Sequence, residues 1–262
     1  MRWTWLLWLI PIYLIAMVVL APARLIGWAL AQTPAAQQVS LHGLQGSLWS
    51  GSASSVETRL PTGAPIQLQQ VSWQVSPWAL VTGTLAVDFN VPQLTNLVFG
   101  QGSLSATSSG LQAFNANLSG DILRGARALN VPMLVPTDGR WNLNIQDYQL
   151  ASWQQPTWCS ALEASIEGNS VQVQLENRWL ELGDFAMQLN CTDAEAIAIT
   201  MPSSNRLGLS FEALVEGSRQ IPRGRIDGFF QPTIETPAEV QEVLPFIGQP
   251  DAAGRYAFGF RF

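Results

Sequence analysis

Lysine is absent from this 262-residue chain: all 13 of its basic residues are arginine, set against 19 carboxylates. Charged residues make up only 12%, the formal net charge is −6, and no basic run occurs, so nothing here suits a nucleic-acid partner. There is one histidine, His42, with no Cys or carboxylate cluster beside it, which argues against a metal site or a catalytic triad. GxSxG, P-loop, HExxH and CxxC patterns are missing. Paired carboxylates such as Glu163 with Glu167, or Asp193 with Glu195, fall on polar edges of strands or turns, where solvation explains them better than acid–base work. The sequence reads as non-enzymatic, with no catalytic residue, metal ligand or cofactor site.

Charge is most conspicuously missing at the start. Trp3 to Ala23 runs for 21 residues without a charged side chain. As a helix it would reach about 31 Å, close to the hydrocarbon thickness of a bilayer. Trp3, Trp5 and Trp8 at one end and Trp28 beyond the other are placed as interfacial anchors. Pro11 would remove one helix hydrogen bond, which a spanning helix tolerates. Ala29-Leu30-Ala31 matches a signal-peptidase pattern, but the run is longer than a usual signal core and Arg24 stands between. Residues 1–31 are therefore expected to be a short cytoplasmic stub and a retained signal anchor. Residues 32–38 then form a linker, and 39–262 an exported domain, divisible at 135/136.

That domain is poor in charge and rich in Gly, Ser, Gln and Thr, which suits strands and turns. Leu41 to Ala53 reads as two glycine-punctuated half-strands. Ile66 and Leu68, then Val71, Trp73 and Val75, alternate with a change of parity that suggests a bulge. Ser76 followed by Pro77 predicts a capped helical turn over Pro77–Leu80, and Leu85 to Val91 resumes alternation. A short helix is expected from Asp121 to Leu129. Strands are expected around Leu143, Val173, Met187, Ile199, Phe211 and Ile226. Thr236-Pro237-Ala238-Glu239 has the form of a capping box, Thr236 at the cap and Glu239 reaching back. Tyr256, Phe258 and Phe260 alternate as a last strand packing its aromatics inward beside that helix.

Two blocks carry a family resemblance. Gly46-Ser47-Leu48-Trp49-Ser50-Gly51, then Val71-Ser72-Trp73, then Pro77-Trp78-Ala79-Leu80-Val81-Thr82-Gly83 resemble type II secretion system protein N, of the general secretion pathway protein N family. The same glycine-spaced strands also resemble AsmA-type lipid-transfer proteins. Further on, Trp158-Cys159-Ser160, a Leu182-Gly183-Asp184 turn and Leu189-Asn190-Cys191 look like the cysteine signature of protein N. Leu244-Pro245-Phe246-Ile247-Gly248 with Gly254-Arg255-Tyr256 looks like its C-terminal signature.

The resemblance implies a single-pass inner-membrane protein with most of its chain in the periplasm. Its domain would be mainly β: an elongated, twisted antiparallel sheet with one or two short helices. Implied partners are other type II secretion components of the inner membrane and the outer-membrane secretin. The AsmA likeness implies the alternative, a β-groove that holds or transfers lipid. In an exported chain the only two cysteines, Cys159 and Cys191, are expected to pair, two buried free thiols being the alternative. The aromatic C-terminus also resembles the assembly signal of outer-membrane barrels, which a retained anchor and the lack of an aromatic girdle oppose.

Overall fold

In the computed structural model, the described residues are 13, 16, 17, 19–32, 39–59, 65–128, 135–175, 177–219, 221–246 and 248–261. The chain forms two compact units, Met1–Asn96 and Leu97–Phe262.

The first unit holds α1 (Arg24–Ala31), β1 (Val39–His42), β2 (Gln45–Gly46), β3 (Ser50–Arg59), β4 (Pro65–Val75), α2 (Pro77–Val81) and β5 (Leu85–Val91). Its strands pair antiparallel in the order β1, β3, β4, β5, with β2 on the near end of β3. Tyr13, Ala16, Met17 and Val19 are helical, but the helical state stops at Leu20. Ala21 to Ala23, expected to belong to the span, instead pack on the sheet. Pro22 forms a bridge with Ser47, and Ala21 and Ala23 are buried. The cause is Pro22, which has no N–H and drives Ala21 out of the helical region. Among the described residues no helix is long and apolar enough to cross a membrane. Trp3, Trp5, Trp8 and Pro11 lie outside those residues, as does the linker from residue 33 to 38.

The parity change in β4 falls where expected but is not a bulge. Ala53↔Val71 and Ser55↔Gln69 keep one register, so no residue is inserted. Gln70 takes a left-handed φ of 55° and re-aims the strand. Below that kink β5 no longer follows β4, and the buried side chain of Asn96 stands in for it. Its Oδ1 accepts from the Gln69 N–H at 2.6 Å and its Nδ2 donates to the Gln69 carbonyl at 2.9 Å. Nδ2 also donates to the Pro92 carbonyl at 2.7 Å. Ser76 precedes α2 with Pro77 at the first turn, yet its side chain makes no capping bond.

Among the described residues the second unit is an antiparallel meander of nine strands. These are β6 (Val98–Ala106), β7 (Leu111–Asp121), β8 (Thr137–Gln149), β9 (Ala161–Leu175) and β10 (Arg178–Cys191), then β11 (Ile197–Met201), β12 (Leu209–Ser218), β13 (Ile221–Phe230) and β14 (Tyr256–Arg261). Helix α3 (Ile122–Ala128) follows β7, and α4 (Ala238–Val243) lies between β13 and β14. Among the described residues β14 has β13 as its only strand neighbour, so the sheet is open. Leu182-Gly183-Asp184, expected as a turn, is a bulge inside β10. Gly183 supplies the φ of 85° it needs, and the Asp184 carboxylate accepts the Ser170 N–H at 2.8 Å.

Candidate functional site

Residues facing each other in register share one side of a sheet. From β6 to β14 one such row runs Gly102, Ala116, Ile145, Ala164, Leu189, Ile199, Ala213, Ile226, Phe260. No polar side chain interrupts it. The neighbouring row on the opposite side runs Gln101, Asn117, Asn144, Ser165, Gln188, Thr200, Glu212, Asp227, Gly259 and is polar but for its last member. The alanines of the apolar row are buried beneath their larger neighbours. Ile145, Leu189, Ile199 and Ile226 remain half-exposed, and Phe260 is 63% exposed. The face therefore presents open apolar surface, and its lateral packing mixes small side chains with large ones. At its far edge Phe258 meets Phe230 with centroids 5.4 Å apart. Gly228 allows this: a Cβ there would stand 2.6 Å from the Phe258 ring and from the Ser210 carbonyl.

Both ends of this sheet are tied. At one end residues 151–160 form a strap across successive turns. Trp153 donates from its backbone to Ser109 O and from Nε1 to Thr107 O. The Arg219 guanidinium donates to the carbonyls of Trp153 and Gln155. Trp158 bonds Glu195 O through its backbone and Glu216 O through Nε1, and its own carbonyl accepts from the Tyr148 hydroxyl at 2.7 Å. Partial burial raises the Tyr148 pKa, opposed by the Arg219 charge. Next in the strap, Cys159 is fully buried and disulfide-bonded to Cys191, Cα atoms 6.0 Å apart. The bond closes the open end of the β9–β10 hairpin.

At the other end Arg206 donates to Glu181 O at 3.1 Å and Glu235 O at 3.0 Å. Here the expected capping box is not formed. Thr236 sits one residue too early, with Pro237 at the cap, and its buried hydroxyl donates to Arg206 O at 3.0 Å. Glu239 lies 3.9 Å from Arg178, and the cap of the helix has no side-chain hydrogen bond. The tertiary partner outcompetes the local one because Arg206 already fixes that loop. With Phe246, helix α4 frames an open hollow of about 580 Å³ against Leu175 and Arg178.

Of the remaining expected residues, Arg24 begins α1 and is exposed, and Trp28 is 67% exposed on the same helix. Phe260 was expected to pack inward and does not. Among the described residues no group of three or more His, Cys, Asp or Glu is placed to hold a metal ion. Asn96, Arg206, Arg219 and the register row had no sequence signal of their own.

An open antiparallel sheet, apolar on one side and tied at both ends, defines a surface-presenting β module. The profile of the family Type II secretion system (T2SS), protein N matches residues 37–259, and the chain belongs to that family. It is 25% identical over 253 residues to the type II secretion system protein N of Aeromonas hydrophila, covering 95% of this chain and 93% of that one. It is 23% identical over 244 residues to the protein of that name from Vibrio cholerae serotype O1, covering 93% and 91%. No solved structure matches the chain. The chain is thus a component of the type II secretion system and acts in protein transport.

Proposed function

We propose that this is a non-enzymatic, single-pass inner-membrane component whose β units lie in the periplasm. There it would serve protein export through contacts with other secretion components of the inner membrane and with the outer-membrane secretin. What carries this reading is the uncharged run that precedes the family-matched portion. With Ala21 to Ala23 packed on the sheet, Trp3 to Leu20 remain for the bilayer. As a helix those 18 residues would reach about 27 Å, within the range of spanning helices. The Ala29-Leu30-Ala31 pattern lies inside α1, a hydrogen-bonded helix that offers a peptidase no extended backbone, which supports retention. The disulfide suits an oxidising compartment.

Two measurements test it. A strain lacking the chain should hold its exported proteins in the periplasm, and cross-linking of the full chain in cells should recover secretion components. Undiminished export in that strain would sink the role. Alkaline carbonate should leave the intact protein in the membrane pellet, beginning at residue 1; a mature start at Gln32 would remove the anchor.

The open apolar row favours a second reading, in which the face of β6–β14 holds lipid acyl chains. Native mass spectrometry of the chain extracted in mild detergent separates the two. A retained phospholipid mass supports lipid holding, and a bare chain supports the contact reading alone.

A further inference from the structure

The helix α2 has the composition Pro-Trp-Ala-Leu-Val, with no polar side chain on any side. Trp78 is 82% exposed, Val81 80%, Leu80 42%, and Leu85 at the start of β5 43%. Scattered exposed apolar residues are ordinary on protein surfaces, and Ile234 and Phe246 in the second unit are of that kind, flanked by Glu235 and Glu242. An entire solvent-facing turn without a polar group is not.

The position of α2 in the first unit says what covers it. The Leu48 N–H donates to Ala21 O at 2.8 Å and the Ala23 N–H to Gly46 O at 3.1 Å, so the end of the uncharged N-terminal run is fastened to β2 and to the connection that leads into β3. One residue on, the Trp49 carbonyl accepts the Val75 N–H at 2.7 Å, and α2 begins two residues after Val75. The place where the apolar run meets the sheet and the exposed apolar turn thus lie at one end of the same unit. That end is also nearly free of charge. From Trp3 to Val56 the only charged side chain is Arg24, and from Leu60 to Val87 there is none. The next charges are Asp88, opposite Gln74, and Glu57 and Arg59 at the far part of β3. A bilayer interface accepts such a surface: Trp prefers the headgroup level, no charge has to be desolvated, and exposed Arg24 suits anionic headgroups.

We propose that α2 is a second membrane contact: Pro77, Trp78, Leu80 and Val81 enter the headgroup–acyl boundary of the bilayer that holds the N-terminal run. The end of the first unit carrying α1 and α2 then rests on the lipid surface. This rests on the anchored reading above and adds to it a fixed orientation of the first unit.

The full chain is reconstituted in phosphatidylethanolamine/phosphatidylglycerol vesicles with benzoylphenylalanine at position 78, 81 or 94. Leu94 is the control, 98% exposed beyond the opposite end of β5. All three side chains are exposed, so the fold is undisturbed, which thermal melting checks. Irradiation should yield lipid adducts at 78 and 81 at least about fivefold above 94. In brominated lipid, Trp78→Phe should lower the quenchable tryptophan fluorescence while Trp153→Phe leaves it unchanged. Equal adduct at all three positions, or adduct at 78 with protein and not lipid, overturns the proposal. Carbonate extraction reports on the anchor separately. A retained chain without lipid adduct at 78 refutes α2 contact alone, and an extracted chain refutes the anchor while position 78 still decides α2.

Discussion

Cys159 is the largest side chain fully buried among the described residues, and its bond to Cys191 holds the strap to the β9–β10 hairpin. Closing a loop of sequence separation 32 restricts the unfolded chain by about 3–4 kcal/mol in the loop-closure account. The double variant Cys159→Ser, Cys191→Ser should lose stability of that order in denaturant melts. Reductant should produce the same shift in the native chain and none in the variant; a native chain indifferent to reductant would show the bridge to be dispensable. Tyr148 beside it titrates in the opposite sense from an acid-labile group. Its raised pKa means the fold favours the neutral phenol, whose proton is donated to Trp158 O. That contribution is complete below the ordinary tyrosine range near pH 10 and is lost as pH rises through the higher folded value. Melting temperature followed from pH 8 to 12 should fall more steeply for the native chain than for Tyr148→Phe.

Among elements, the two units solve their edges differently. In the first, Asn96 substitutes for a strand, satisfying both backbone groups of Gln69 where β5 has parted from β4. Asn96→Ala leaves buried groups without partners and should cost about 1–3 kcal/mol. Asn96→Asp should cost more, because a carboxylate replaces the donor that faces two carbonyls. Urea midpoints of the two variants order them, and a harmless Asp would contradict this account. In the second unit β14 is the terminal strand, paired with β13 along its six residues. Truncation at Gly254 removes that pairing and the Phe258 contact with Phe230. A buried Phe is worth about 3–5 kcal/mol, and half-buried Phe258 should give less than that by itself. The truncated chain should melt earlier and expose β13 to protease. An unchanged melting temperature would make β14 peripheral.

For the whole molecule, the register row makes a prediction about solution behaviour. Ile145, Leu189, Ile199 and Ile226 stay half-buried although the strands that carry them are paired. The native chain should therefore bind an apolar dye such as ANS at neutral pH while keeping a cooperative melt and a structured near-ultraviolet spectrum. Dye binding in a molten globule would come without those two features. A native chain that leaves the dye dark would mean the face is covered in solution.

Much of this was legible in the amino-acid sequence, and for one reason: local patterns report on local geometry. The alternation around Leu143, Ile199 and Ile226 located strands, Pro77 and residues 121–129 located short helices, and the two cysteines located their bridge. The sequence by itself determined a mainly β chain and the motifs of its family. What only tertiary structure decided depended on partners distant in the chain. Pro22 ends the helical state and Ser47 receives the segment it releases; Arg206 draws Thr236 away from α4; Asn96 fills the gap opened by Gln70. The apolar row and the charge-poor end at α2 likewise exist only after strands pair in one register. A side chain's neighbours along the chain do not say which strand will lie opposite it, and that choice made these surfaces.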